Sequence, residues 1–230
     1  EEGYTGQLGL RRWNFREREV SRVKLCCMRR EICSLELKLD LAVVGILNHN
    51  ELAVDNDFTK VTKKQKAAIR RLCQGQLDRL VEALASRWSA LAVAGDETAT
   101  DLVLDILGAR ARRVNGDRNK LMRTSTKKLA ELPVFRDLSD QPHSLLDLIE
   151  HYREHKSLAY VDSGWRGPTN DRLVIAAEGP TRAVLGRIFT RLDDYEETYR
   201  EEQALAERRK RLPKMAKQPT LLCVRSFKNR

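Results

Sequence analysis

The chain has 230 residues, of which 41% are hydrophobic and 33% are charged, and its formal net charge is +10. This length is sufficient for an ordinary hydrophobic core in one large domain or two small ones, which argues against a small scaffold held together by disulfides. The positive charge indicates an anionic partner, most commonly nucleic acid, and after it an anionic membrane surface or an acidic protein.

The first predicted elements are an extended arm and a long helix. Residues 1–15 contain Gly and show no hydrophobic periodicity, as is typical of an extended arm. From about residue 16 to residue 47 the apolar residues recur every three or four positions, which predicts a helix with one buried stripe. Cys26, Cys27 and Cys33 fall within this pattern and are interpreted as small core residues in a reducing compartment.

Three further helices are predicted between residues 59 and 132. The first covers about 59–94, and Thr62 and Gln65 have the spacing of a capping box at its start. Asp96 can cap the next helix, which fades at the sequence RRVNGD. A shorter helix covers about 118–132 and ends at the Pro that follows it.

The hydrophobic period changes in the C-terminal third. A helix is predicted to start near Ser139 or Asp140, with Pro142 in its first turn. The segments SLAYV and RLVIAAE indicate two short strands joined by a long hairpin loop. A last long helix is predicted from Gly179 to Pro213, and the segment TLLCVRSF near the end of the chain is a candidate third strand.

These elements predict a mainly α fold: a long-helix bundle with a small β-hairpin of two or three strands in the C-terminal third, and basic, extended termini. The predicted organisation is an arm at 1–15, a helical domain at 16–132, a small α+β segment at 133–212 that ends in a long helix, and a basic tail at 213–230. No apolar run reaches the roughly 18 residues needed to cross a bilayer, so no membrane span is predicted.

Basic residues concentrate in the arm, at 60–71, at 109–128 and from residue 208 to the end of the chain. Lys and Arg neutralise phosphates without a defined pocket, so these clusters predict contacts with RNA; a solvated helix face is the alternative interpretation. Trp13 in the arm can stack on unpaired bases, or it can fill a groove on this protein or a neighbour. The predicted contact residues are Arg11, Arg12, Trp13, Arg16, Lys63, Lys64, Arg70, Arg71, Arg110, Arg112, Arg113, Arg118, Lys120, Arg123, Lys127, Lys128, Arg208, Arg209, Lys210, Arg211, Lys214, Lys217, Arg225, Lys228 and Arg230.

The sequence DLIEHYREHK contains the pattern H-x-x-E-H at His151, Glu154 and His155, in which two His one helical turn apart can hold zinc. A catalytic zinc ion needs a third protein ligand, and no downstream acid stands out in the charge-rich segment that follows. A structural metal held together with His143 is the other interpretation. The pattern favours a short amphipathic helix in an acidic segment, at 137–162, that faces protein rather than phosphate. No catalytic residue, metal ligand or cofactor is predicted.

The loop SGWRGPTND carries Trp165 and Arg166 between two Gly. It can present both side chains to RNA or to a protein, or Trp165 can fold back onto the body of a long hairpin, which the sequence favours. No glycine-rich nucleotide-binding motif and no G-x-S-x-G motif is present. The sequence therefore predicts no small-molecule substrate.

Long helices, basic extensions and the lack of a catalytic constellation favour a non-enzymatic structural subunit of a large ribonucleoprotein, with a mitochondrial or other organellar ribosome as the best case. It would contact RNA phosphates through the basic clusters and other protein subunits through its helices. Two alternatives stay open: a protein-interaction scaffold without RNA, and a DNA-binding regulator with a helix-turn-helix between residues 96 and 132. The Cys residues indicate an intracellular, reducing compartment, and the missing initial Met fits a mitochondrial matrix protein after removal of its targeting peptide.

Overall fold

The computed structural model of this chain has a mixed α/β fold with two main sheets, one of four strands and one of three. The prediction of a mainly α long-helix bundle with one hairpin is therefore wrong. The structure describes these parts of the chain: 3–11, 20–52, 60–93, 97–122, 125–162, 164–168 and 172–215.

The N-terminal sheet consists of the four strands β1 (Thr5–Leu10), β2 (Ser21–Cys27), β3 (Arg30–Leu37) and β4 (Val43–Asn48). Their order across the sheet is β1-β4-β2-β3, and only the β2–β4 pair is parallel. The arm predicted at 1–15 thus forms an edge strand over part of its length. One face of the sheet is buried and the other faces solvent, so buried and exposed side chains alternate along β2.

The prediction of a helix at 16–47 is wrong. Apolar residues that recur every two positions along a strand also recur every four positions, so this pattern was interpreted as that of a helix. Leu35, Leu37, Leu39, Leu41 and Val43 are all buried, and this strict alternation is typical of extended chain. The hairpin between β2 and β3 turns through two non-glycine residues with positive φ, at positions 28 and 29, so the usual Gly or Asn signal for such a turn is missing.

The middle of the chain is helical, as the sequence predicts, and consists of α1 (Lys63–Val93), α2 (Glu97–Arg113), α3 (Arg118–Leu121) and α4 (Thr126–Ala130). Thr62 Oγ1 accepts a hydrogen bond from the backbone N–H of Gln65 at 3.3 Å, so the start of α1 is capped where the capping pattern places it. The single helix predicted at 118–132 is wrong, since α3 and α4 are separate short helices.

The C-terminal part contains β5 (Phe135–Arg136), β6 (Pro142–His143), α5 (Leu145–His155), β7 (Leu158–Val161), β8 (Val174–Ala176), α6 (Gly179–Ile188), β9 (Leu192–Asp194) and α7 (Tyr195–Met215). Strands β7, β8 and β9 form a parallel sheet in the order β8-β7-β9, and β5 pairs with β6 in a separate two-stranded sheet. The predicted hairpin is wrong, because β7 and β8 run in the same direction.

Two helix boundaries in this part differ from the prediction. Pro142 lies in a strand, and α5 begins only after Ser144, whose side chain and that of Asp147 form a reciprocal capping box. The predicted last helix is divided because β9 pairs with β7 between α6 and α7, and Pro213 lies within α7 rather than at its end. The candidate strand at 220–227 lies outside the described residues.

One continuous hydrophobic core joins the two parts of the molecule. Its buried members include Val23 in the four-stranded sheet, Leu107 in α2, Phe135 in β5 and Leu185 in α6. Helices α2 and α6 approach closely at Gly108, where an added Cβ would lie only 3.3 Å from a methyl carbon of Val184. The predicted boundary between residues 132 and 133 therefore crosses a shared core.

Asp137 organises the turn between β5 and β6. One of its carboxylate oxygens accepts hydrogen bonds from the backbone N–H groups of Ser139 and Gln141, both at 2.8 Å, and the other lies 3.0 Å from Nε2 of His143. Burial raises the pKa of Asp137, but the bonds from His143, Gln141 and Ser139 outweigh burial, and the resulting pKa lies below the ordinary value.

Substitution Asp137→Asn is expected to destabilise the protein by about 1–3 kcal/mol at pH 7, because these donors lose a charged acceptor. The folded-state pKa is below that of the unfolded chain, so the stabilisation is complete above about pH 4 and is lost as the pH falls through the folded-state pKa. Urea unfolding of both proteins at pH 7 and pH 3 is the measurement. The difference in free energy of unfolding should shrink at pH 3; an equal difference at both pH values would contradict the prediction.

Candidate nucleic-acid interface

The first three turns of α1 carry the largest group of unpaired cations in the described part of the chain. We call Lys63, Lys64, Lys66, Arg70 and Arg71 the α1 basic cluster. All five side chains are exposed, and none forms an ion pair or a hydrogen bond with another described residue. The first acid on this helix is Asp78. The cluster covers about 13 Å of helix, which is long enough to follow several phosphates of a nucleic-acid strand.

The position of the cluster at a helix N-terminus makes its charge unfavourable to the isolated protein. A helix N-terminus carries a partial positive charge, so acidic side chains are favoured there and cations are disfavoured. The first turn of α1 contains no acidic residue, whereas Lys63, Lys64 and Lys66 lie in or next to it. An anionic partner would relieve both the mutual repulsion of these side chains and their repulsion by the helix dipole.

The basic residues predicted as RNA contacts at 110–128 are arranged differently, because most of them have partners within the protein. Arg110 is buried and forms an ion pair with Asp78 at 2.9 Å. Lys128 of α4 forms an ion pair with Glu82 of α1 at 3.3 Å. These two ion pairs therefore connect α1 to α2 and to α4. Arg113 pairs with Asp40, next to the four-stranded sheet. The charges of these side chains are therefore already compensated within the protein.

Most of the other basic residues at 110–128 also have a partner within the protein. The guanidinium of Arg118 lies over the ring of Tyr152, 4.5 Å from the ring centroid, in a cation–π contact. Lys120 forms an ion pair with Asp117 at 3.4 Å, and Arg112 also has a partner within the protein. Lys127 is exposed, and Arg123 lies outside the described residues. The structure does not bring these side chains together into one surface.

Substitution Arg110→Gln is expected to lower the free energy of unfolding by about 1–2 kcal/mol and to leave RNA affinity unchanged. The buried guanidinium is lost and Asp78 loses its partner, but the Asp78 side chain is 65% exposed, so water compensates part of that loss. Urea unfolding and an RNA titration of the folded protein are the two measurements. Lys127→Gln is the matched control, with an expected change in stability below about 0.5 kcal/mol. A loss of RNA affinity in the Arg110 variant alone would show that Arg110 contacts RNA.

A second exposed basic group lies on the end of α7. Every residue from 203 to 210 is exposed, so this part of the helix extends away from the body for about 12 Å. Arg208, Arg209 and Lys210 have no side-chain partner among the described residues. The side chains of Arg211 and Lys214, and the predicted contacts Lys217, Arg225, Lys228 and Arg230, lie outside the described residues.

Of the two Trp residues considered as contacts from the sequence, Trp165 lies within the described residues and Trp13 does not. Arg12, Trp13 and Arg16 of the arm lie outside the described residues, and Arg11 is partly buried and has a partner within the protein. Trp165 folds back from its loop, and its ring packs edge-on against Tyr195 and Tyr199 at centroid distances of 6.1 and 5.5 Å. Trp165 therefore anchors its loop on α7, as the sequence favours.

The H-x-x-E-H residues lie on the last turns of α5. The rings of His151 and His155 are in contact, with centroids 4.2 Å apart, whereas His143 is engaged by Asp137. Among the described residues no group of three or more His, Cys, Asp and Glu side chains is arranged to hold a metal ion. The three-histidine arrangement considered from the sequence is thus not assembled.

A feature that the sequence prediction missed lies on the solvent face of the four-stranded sheet. Val44 and Ile46 of β4 are 40% and 51% exposed, next to Arg22 and Lys24 of the neighbouring strand β2. The sequence signal is the almost continuous apolar run VVGIL, which is typical of a strand covered on both faces. In the described residues only one face of β4 is covered.

No protein-family model matches the chain, and no curated protein is significantly similar to it. In the described part of the chain, none of the helices is both long enough and apolar enough to cross a membrane.

Proposed function

We propose that this chain is a non-enzymatic, RNA-contacting structural subunit of a ribonucleoprotein, and that the α1 basic cluster is its main RNA-binding surface. The observation that carries the proposal is the group of five exposed cations, on three successive turns of one helix, that have no partner among the described residues. Phosphate neutralisation by such side chains releases counterions and requires no pocket, which suits a surface of this kind. The basic end of α7 provides a second contact.

The proposal assigns fewer residues to RNA contact than the sequence-based prediction does. Ion pairs and a cation–π contact occupy Arg110, Arg113, Arg118, Lys120 and Lys128, so their charges are already compensated within the protein. The RNA contacts are assigned to α1 and to the end of α7, where no described acidic side chain compensates the charge. A charged surface that is uncompensated and unfavourable to its own helix is a stronger argument for an anionic partner than net charge alone.

The test is a titration of structured RNA with the purified protein at several salt concentrations. Binding is expected at low salt, and the logarithm of the association constant should fall linearly with the logarithm of the salt concentration. A competition with duplex DNA of the same length separates RNA binding from general polyanion binding. No binding at about 50 mM salt would overturn the proposal.

The geometry gives less support to a DNA-binding helix-turn-helix between residues 96 and 132. The helices that follow α2 in the described residues, α3 and α4, have four and five residues. A recognition helix must project several side chains into the major groove, and one turn of helix cannot do so.

A second candidate function, a protein-interaction scaffold, is favoured by the exposed apolar side chains of β4. A partner that covered Val44 and Ile46 would remove two neighbouring apolar side chains from water. The test is co-purification from nuclease-treated extract with the wild-type chain and with Ile46→Glu. A protein recovered with the wild type and lost with the variant supports the scaffold, whereas recovery that depends on RNA supports the first proposal.

A further inference from the structure

The two His residues of α5 face a cavity that the proposed RNA surface does not include. This cavity, with a volume of about 390 Å³, lies beside the parallel sheet and is enclosed by residues of α5, β7, β9 and α7 and by the residues that precede β8. Its polar lining consists of His151, His155, Ser157, Arg172, Asp193, Tyr195 and Thr198.

The two imidazoles have the spacing of a helical metal chelate. His151 and His155 are four residues apart on one helix, so their rings project from the same face, and their centroids are 4.2 Å apart with an angle of 48° between the rings. A small opening of the rings would let one ion bind a nitrogen of each at the usual distance of about 2.0–2.1 Å. The ring of His151 has no hydrogen bond to another described residue, so no internal partner competes for its nitrogens.

The charged side chains around the two imidazoles suit a bound cation. The carboxylate of Glu154 lies 3.9 Å from Nε2 of His155, so an acidic side chain lies beside the second imidazole. Asp193 places a carboxylate in the wall of the same cavity, although Arg191 engages it at 3.4 Å. The positive charge of Arg172 is compensated by Glu202 at 3.2 Å.

We propose that His151 and His155 form a two-histidine site for a divalent transition metal such as Zn²⁺, open to the cavity and completed by water. Two protein ligands leave coordination positions free, so the site can take a ligand from solution or from a partner protein. Nitrogen donors select Zn²⁺, Ni²⁺ or Cu²⁺ over Mg²⁺ and Ca²⁺, which prefer oxygen. The inference is independent of the proposed RNA binding, since the α1 basic cluster contributes nothing to this cavity.

The test uses the full chain, with Zn²⁺ as the probe in competition with a chromophoric zinc indicator at pH 7.5. We expect one ion per chain, an affinity at least tenfold lower in His151→Ala and in His155→Ala, and unchanged affinity in His49→Ala. Excess Mg²⁺ should not compete. Binding should weaken between pH 7.5 and pH 5.5, because protons compete for the imidazole nitrogens.

A second measurement keeps the proposal testable if an Ala variant folds poorly. Among the four His residues of the wild-type chain, the imidazole NMR signals of His151 and His155 should shift first as Zn²⁺ is added. The proposal is overturned if the wild type shows no saturable binding, if His49 or His143 shifts first, or if His49→Ala weakens binding as much as the α5 variants do.

Discussion

Replacing the five cations of the α1 basic cluster by Gln is expected to lower RNA affinity on the order of 10²–10³-fold near 0.15 M salt. Each phosphate contact that is lost removes the release of its counterions, which is the dominant favourable contribution in this kind of binding. The dependence of the logarithm of affinity on the logarithm of salt concentration should become less steep by about 3 to 5 for the same reason. Fluorescence titrations at four or more salt concentrations measure both quantities.

A matched control separates the position of the charges from their number. The control variant also loses five positive charges from the formal net charge of +10, but from exposed cations that already have a partner. These are Lys24, Lys120, Lys128, Arg191 and Arg200, paired with Glu31, Asp117, Glu82, Asp193 and Glu196. We expect the control to lose less than about tenfold in affinity, since exposed ion pairs contribute little to stability and their cations are already neutralised. Equal losses in the two variants would contradict a localised interface.

The unequal success of sequence prediction along this chain has a physical cause. Helix α1 was predicted because a long three-and-four periodicity and a capping pattern at Thr62 agree. In the four-stranded sheet, the hydrophobic pattern and the turn residues do not agree in this way. The buried alternation from Leu35 to Val43 indicates strands, but the β2–β3 turn uses Met28 and Arg29 at positive φ, so the chain reversal leaves no trace in the sequence. Strand direction was also hidden, because β7 and β8 have the same side-chain pattern whether they pair parallel or antiparallel.

The prediction of the candidate interface from sequence was limited by the tertiary fold as well. A run of cations can be read from sequence, but their partners depend on the fold: Arg113 reaches an acid 73 residues away, and Arg110 one that is 32 residues away. The α1 basic cluster could be predicted more safely, since no acid precedes Asp78 on that helix to compensate it locally. Charge clustering therefore predicts which residues are candidates, and only the tertiary contacts show which of them remain available to a partner.

Substitution Leu107→Ala is expected to destabilise the protein by about 2–5 kcal/mol. Leu107 is 0% exposed and belongs to the core that both parts share, so its truncation removes buried methyl groups and leaves a cavity in that core. Since one core spans both parts, the variant should still unfold in a single transition at a lower urea concentration. Circular dichroism and tryptophan fluorescence, followed in the same urea titration, measure the loss and its cooperativity.

Leu205→Ala is the matched control, with the same side chain removed from a site that is 52% exposed on the extended end of α7. It should change the free energy of unfolding by less than about 0.5 kcal/mol, because little apolar surface is buried there and Ala favours the helix. Two separate transitions in the Leu107 variant, with only one of them shifted, would mean that the parts before and after residue 132 fold independently. The predicted boundary would then describe real domains, and the contact of α2 with α6 would be an interface between them rather than part of one core.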